Sequence, residues 1–216
     1  MSLRIALLGA GRIGRVHAKA IASQSNATLV AVADAFEAAA NEVAGEYGCD
    51  VRTVDAILAA DDIDAVVICT PTNTHADLIE KFARAGKAIF CEKPIDLDLK
   101  RVRECLAVVE DCGATLMLGF NRRFDPHFAA VKDAITTGKI GKVEQVNITS
   151  RDPGLPPLDY IDVSGGIFRD MTIHDFDMAR FLLGDEIATV QASASCLVDA
   201  KVAEHNDFDT ASVILT

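Results

Sequence analysis

The sequence predicts an α/β protein in which a doubly wound parallel sheet is followed by an α+β domain. Three observations lead to this prediction. Up to about residue 120, short and nearly continuous apolar runs alternate with amphipathic stretches. A glycine-rich turn directly follows the first run and heads a helical pattern. After GFNRRFDP (119–126) the regular alternation gives way to a different texture.

In chain order the strand patterns are LRIALL, TLVAVAD, DAVVIC, AIFCEK and ATLMLGF. Runs apolar on both faces suit strands covered on both sides by helices. Between them, residues 73–85 place Leu78, Ile79, Phe82 and Ala83 on one helical face, and Gly86 supplies a C-terminal stop. These elements form a first domain over 1–120. The second, 121–216, opens with a helix around 124–137, a turn at TGKIGK and a strand-like KVEQVNITSR. A Pro-rich loop at 153–157, a glycine pair at 165 and 166, a helix from about 174 to 183 and two more strand patterns follow. The last of these, FDTASVILT, has no turn, cap or polar tail after it, so the second domain reads as truncated.

A chain of 216 residues, half of them hydrophobic and a quarter charged, can bury a sizeable core and does not read as disordered. Apolar runs such as AVVIC are of strand length, and the start MSLRIALLGAG lacks the apolar core of a signal peptide, so a cytoplasmic protein is expected. Six cysteines, at 49, 69, 91, 105, 112 and 196, form no CxxC pair and no zinc-ligand spacing, and disulfides are not expected. A formal charge of −11 argues against nucleic acid and anionic membrane surfaces as partners. Any anionic cofactor must then be held by local dipoles.

LLGAGRIG puts Gly9, Gly11 and Gly14 in GxGxxG spacing, with Arg12 and Ile13 inside the motif. Directly after a strand and at the head of a helix, such glycines allow a tight turn and close approach of a pyrophosphate. Asp34 ends the second strand twenty residues after Gly14, where an acid can accept from both adenosine ribose hydroxyls and would repel a 2′-phosphate. NAD is therefore expected over NADP, the alternative being that Asp34 caps the next helix. Thr70, Pro71 and Asn73 follow the third main strand at its carboxyl end, where ligands sit in open α/β sheets, although Asn73 or Thr74 would also serve as an N-cap. His75 reads either as a cofactor-lining residue or as an ordinary first-turn residue of the helix. Glu92 and Lys93 close the next strand and point to the same crevice, where the lysine could hydrogen-bond or relay the proton of a substrate hydroxyl; a plain surface Glu-Lys pair is the alternative. A cis bond before Pro94 is a further expectation.

RDMTIHDFDMAR (169–180) carries Asp170, His174 and Asp177 at spacings of four and three, a single polar stripe if the stretch is one helix. Three ligands for a metal are conceivable, but a zinc site normally draws on more than one histidine or thiolate, and no metal is expected. The helix alone, with Phe176, Ala179, Leu182 and Leu183 inward, accounts for Asp175 and Asp177 as solvated or capping acids, and does not account for pairing Asp170 with His174.

Five of these segments, GAGRIG, CTPTNTHAD, CEKP, GFNRRFDP and GGIFRDMTIHDFDMARFLLG, resemble in their order the glucose-fructose oxidoreductase, inositol dehydrogenase and rhizopine-catabolism (Gfo/Idh/MocA) family, and within it the inositol 2-dehydrogenases. The resemblance implies a Rossmann domain that binds NAD and an α+β domain whose open sheet makes oligomer contacts, often in a tetramer. It implies hydride transfer from a ring hydroxyl of myo-inositol or a related cyclic polyol. Lys93, Asp170 and His174 would be catalytic and would contact substrate, with Asn121, Arg122 and Asp152 also touching substrate or nicotinamide. In that chemistry His174 takes the hydroxyl proton, Asp170 orients its ring and Lys93 stabilises the developing alkoxide. Family members usually continue well beyond the length of this chain. A dehydrogenase of another pyranose sugar is the near alternative, and a non-catalytic dinucleotide-sensing regulator is one of a different class.

Overall fold

The computed structural model describes residues 2–216. They divide into two compact units, one ending at Gly119 and one running from Phe120 to Thr216.

The first unit is built from β1 (Leu3–Leu8), α1 (Arg12–Ala22), β2 (Ala27–Ala33), α2 (Glu37–Tyr47), β3 (Asp50–Val51), α3 (Val54–Leu58), β4 (Ala65–Ile68), α4 (His75–Arg84), β5 (Ala88–Cys91), α5 (Leu99–Asp111) and β6 (Leu116–Leu118). All six strands are parallel, in the order β3-β2-β1-β4-β5-β6. Strand side chains alternate between faces, and β1 shows why the sheet needs cover on both. Ile5 and Leu7 pack with Ala18 and Ile21 of α1 and Val43 of α2. Ala6 and Leu8 pack with Ile57 of α3, Ile79 and Phe82 of α4 and Cys105 of α5. Leu7, Leu8, Ile68, Ile79 and Phe82 are fully buried, each contributing about 1.5–3 kcal/mol of transfer free energy. The strand order reverses between β1 and β4, which opens a crevice at their carboxyl ends.

One strand escapes sequence reasoning. β3 has two residues with a single apolar side chain, too short for any periodicity, and exists because it pairs with Ala31 and Val32 of β2. Arg52 then bridges Asp50 and Asp62 at 2.8 Å each.

The second unit contains α6 (Pro126–Thr136), α7 (Leu158–Ser164), α8 (Ile173–Leu183) and a two-stranded antiparallel sheet of β7 (Val190–Ser195) and β8 (Thr210–Leu215). The start of α6 follows from FDP: Asp125 accepts from the His127 and Phe128 amides, and Pro126 occupies the first turn, where no N–H is required. KVEQVNITSR (142–151) is not a strand. Its alternation is strand-like, but alternation needs a ladder, and β7 and β8 pair with each other over their whole length while 142–151 stays largely exposed without regular structure. Asp152 accordingly lies in an exposed loop and not at the end of a strand. Conversely, α7 forms between the Pro-rich loop at 153–157 and the glycine pair, in a stretch to which the sequence assigns no element.

In α8 the buried face also differs from the expected one. Asp177, Met178, Ala179 and Leu182 are buried, whereas Leu183 is exposed. Among the described residues no helix is long and apolar enough to cross a membrane.

Candidate functional site

The glycine turn between β1 and α1 is packed as tightly as its motif requires. Gly9 has φ +96°, and a Cβ there would lie 2.5 Å from the Cys69 carbonyl oxygen, because β4 runs beside β1. A Cβ on Gly14 would lie 1.9 Å from the Gly9 carbonyl oxygen. Gly11 is different: nothing lies within 4 Å of its added Cβ, so this side of the turn is open to an approaching group. Gly11 is the N-cap of α1, no side chain caps that helix and its first turn contains no acid. Its leading N–H groups and dipole therefore suit a pyrophosphate, and the cradle fits a dinucleotide.

Asp34, just past the end of β2, does more than present an acid. Its Oδ2 accepts from the Ala10 amide at 2.6 Å and its Oδ1 from the Phe36 amide at 2.7 Å, tying the glycine turn to β2. The N-cap of α2 is Phe36, so the capping alternative for Asp34 does not apply. Asp34→Ala is expected to raise the NAD dissociation constant about 10- to 100-fold and to narrow the preference over NADP, as loss of charged hydrogen bonds predicts; fluorescence titration with both dinucleotides checks it.

After β4, Thr70 Oγ1 and Thr74 Oγ1 lie 2.6 Å apart, and Thr74 Oγ1 also donates to the Pro71 carbonyl at 2.7 Å. Asn73 and Pro71 are exposed at the turn, and Thr74 occupies the N-cap position of α4 without a side-chain capping hydrogen bond. His75 is 2% exposed, with Nδ1 2.7 Å from the Pro94 carbonyl oxygen and Nε2 2.7 Å from that of Thr70. With both nitrogens turned to backbone oxygens, the ring is a core strut under the loop. A neutral imidazole has one N–H and donates to one of these oxygens at a time, the doubly protonated ring to both.

Glu92 and Lys93 follow β5, and the Lys93–Pro94 bond is cis, as expected. Glu92 Oε1 lies 2.6 Å from Nε2 of His17 on α1, whose ring tilts against Phe90 with centroids 5.0 Å apart. Burial pushes the Glu92 carboxyl up, but the hydrogen bond and charge of His17, with the amide and charge of Lys93, outweigh it and hold the carboxyl below its ordinary value. Gly119 leaves space for this carboxylate: a Cβ there would meet Glu92 Oε2 at 2.9 Å. His17 was not singled out by sequence; its signal, a histidine one turn past Gly14, acquires meaning only beside Glu92, 75 residues away.

In the second unit, Asp170 does not share one helix with His174 and Asp177. Asp170 belongs to a π-helical turn, Ile167–Met171, and His174 to α8, with Thr172 at the junction donating from its hydroxyl to the Ile167 carbonyl at 3.0 Å. The wider π turn breaks the 3.6-residue periodicity on which a single stripe depends. His174 packs edge-on against Phe120 with centroids 6.3 Å apart.

The acids read as solvated or capping are neither. Asp177 is 7% exposed and receives the Arg123 guanidinium at 2.8 and 2.6 Å, while Arg123 also lies over the Phe181 ring. Asp175 pairs with Arg122 and accepts from Ser150 at 2.6 Å. Two consecutive arginines thus take up two acids of α8. Asp177, engaged fork to fork, is not a spare metal ligand. Arg122 is occupied by Asp175 and Ser150, and Asn121 is exposed at the start of the same 3-10 turn.

The π turn rests on Gly166. Its φ is +67°, and an added Cβ would come within 2.4 Å of the Asp207 carboxylate, which accepts from the Ile167 amide at 3.0 Å. Gly166→Ala is expected to destabilise the second unit by about 1–3 kcal/mol, from the left-handed backbone and the displaced carboxylate together. Denaturant midpoints of Gly166→Ala with and without Asp207→Ala separate the two contributions.

Comparison with known proteins covers both units. A family described as "Oxidoreductase family, NAD-binding Rossmann fold" matches residues 3–120, and the GFO/IDH/MocA C-terminal domain matches 128–216. An inositol 2-dehydrogenase of Rhizobium meliloti (strain 1021) is 70% identical over 215 residues; the match takes in the whole of this chain and 65% of that protein. A crystal structure of a myo-inositol dehydrogenase from Corynebacterium glutamicum superposes with a TM-score of 0.95 at 49% identity, over the whole chain and 65% of its own. A scyllo-inositol dehydrogenase from Lactobacillus casei, with bound NAD(H) and scyllo-inositol, superposes with a TM-score of 0.86 at 30% identity, over the whole chain and 66% of its own. The chain thus spans about two thirds of the length of these relatives.

Proposed function

Because the chain belongs to the Gfo/Idh/MocA oxidoreductase family, we propose that it acts as an NAD-dependent dehydrogenase of a ring hydroxyl in myo-inositol or a related cyclic polyol. The observation that carries this reading is the open cradle at Gly11 above an uncapped α1, with Asp34 anchored beside it on the same sheet. Bound NAD supplies the acceptor for the hydride that leaves the carbinol carbon. The chain's own groups manage the proton. His174 removes it from the hydroxyl as the carbonyl forms, Asp170 orients the imidazole, and the Lys93 ammonium stabilises the developing charge on oxygen. Asn121, Arg122 and Asp152 complete the proposed substrate contacts, Arg122 through its exchange between Asp175 and a ligand hydroxyl. Thr70, Pro71, Asn73, Arg12 and Ile13 complete the dinucleotide contacts, and Glu92 serves there through its neighbour Lys93.

The polyol class is favoured by the names of the relatives, which act on inositols. The working location is the cytoplasm, in keeping with six free thiols, and the assembly is a homotetramer, which light scattering tests directly. The decisive assay is NAD reduction over a panel of inositols and aldoses. Turnover confined to inositols supports the reading, turnover confined to aldoses replaces the substrate class, and dinucleotide binding with silence across the panel points to a sensor.

A further inference from the structure

Lys93 is flanked by two residues that are each held by a histidine. On one side, Glu92 Oε1 meets His17 Nε2 at 2.6 Å, and the Glu92 amide donates to the Ile68 carbonyl at 2.9 Å. On the other, the buried Pro94 offers its carbonyl oxygen to His75 Nδ1 at 2.7 Å. Neither histidine is a surface group: His75 is 2% exposed, and the His17 side chain is 23% exposed and braced by Phe90. Each also belongs to an element that shapes the dinucleotide cradle. His17 is on α1, the helix headed by the glycine turn, and the other nitrogen of His75 reaches the Thr70 carbonyl in the loop after β4.

We propose that His17 and His75 are positioning residues for Lys93, a two-sided clamp that fixes the Glu92 carboxylate on one side of the lysine and the Pro94 carbonyl on the other, and ties them to the helix headed by the glycine turn and to the loop after β4. The proposal rests on the reading of Lys93 as the lysine that serves the substrate oxygen. It assigns the histidines no contact with the reacting atoms. Their effect is geometric, and a displacement on the order of 1 Å at a reacting group is worth up to about 100-fold in rate.

The test reads the lysine itself as well as the reaction. In the full-length chain labelled with 13C-lysine, the Lys93 Cε resonance is assigned by its loss in Lys93→Arg and followed through a pH titration with and without NAD. His17→Phe keeps the ring against Phe90 but cannot bond Glu92, and His17→Gln restores a donor; His75→Phe and His75→Gln do the same on the other flank. The Phe variants are expected to shift and broaden the Lys93 resonance and to lower turnover about 10- to 100-fold, with the KM for NAD changed less than about threefold, and the Gln variants to recover part of both. If buried His75→Phe fails to fold, the His17 pair, at a side chain only 23% exposed, carries the test alone. A Lys93 resonance and titration unchanged in folded His17→Phe overturns the clamp and leaves the reading of Lys93 standing. Full turnover in Lys93→Ala overturns that reading, and with it the clamp's purpose, whatever the histidines do.

Discussion

Alanine at position 14 is expected to abolish dinucleotide binding and to destabilise the first unit by about 2–4 kcal/mol, among the larger effects a single methyl can have. The new Cβ would sit 1.9 Å from the Gly9 carbonyl oxygen, a backbone atom with no flexible end to swing aside. Gly9 cannot yield either, because its own Cα side faces the Cys69 carbonyl at a distance that admits no Cβ, and its amide donates to the Ala33 carbonyl at 2.8 Å. The strain therefore moves α1 away from β1 and opens the cradle. Gly11→Ala is the informative partner, because its Cβ meets nothing within 4 Å and its φ of −70° suits any residue. That variant is expected to keep wild-type stability and lose NAD affinity by steric exclusion of the ligand. Calorimetric titration with NAD and denaturant unfolding of both variants check the contrast, and wild-type NAD affinity in Gly14→Ala would sink the cradle.

His174→Ala is expected to lower turnover by about 100- to 10,000-fold, the span typical of a lost general base, while leaving NAD affinity within about twofold. The two effects separate because the glycine turn, Asp34 and the β4–α4 loop all belong to the first unit, whereas His174 belongs to the second. Steady-state rates against inositol concentration, with NAD affinity measured independently, give both numbers. Asp170→Asn, which keeps the shape but not the charge, is expected to fall between wild type and His174→Ala. Turnover near wild type in His174→Ala removes the histidine from the reaction.

Several features were legible because they depend on neighbours in sequence. The parallel strands show in the apolar runs, the cradle in a spacing of three glycines, and the start of α6 in the dipeptide Asp125–Pro126. Others were misread for one common reason. Asp175 and Asp177 read as wet acids of a helix until Arg122 and Arg123, 53 and 54 residues earlier, are seen to hold them. KVEQVNITSR reads as a strand, but among the described residues no partner strand completes its hydrogen bonds. The opposite error left out β3, whose two residues are a strand only because β2 pairs with them.

By itself the sequence determined the fold class of the first unit, the glycine turn at the head of α1 and the residue types available for proton transfer, since periodicity, glycine spacing and turn chemistry are local properties of a chain. Only the tertiary structure decided what each polar side chain does. It turned His75 inward to the Thr70 and Pro94 carbonyls, gave Glu92 to His17, and moved Asp177 from solvent into the Arg123 fork. The physical reason is that a buried polar group must find its partner wherever the fold brings one, and that partner is set by three-dimensional proximity across tens of residues, which no local pattern encodes.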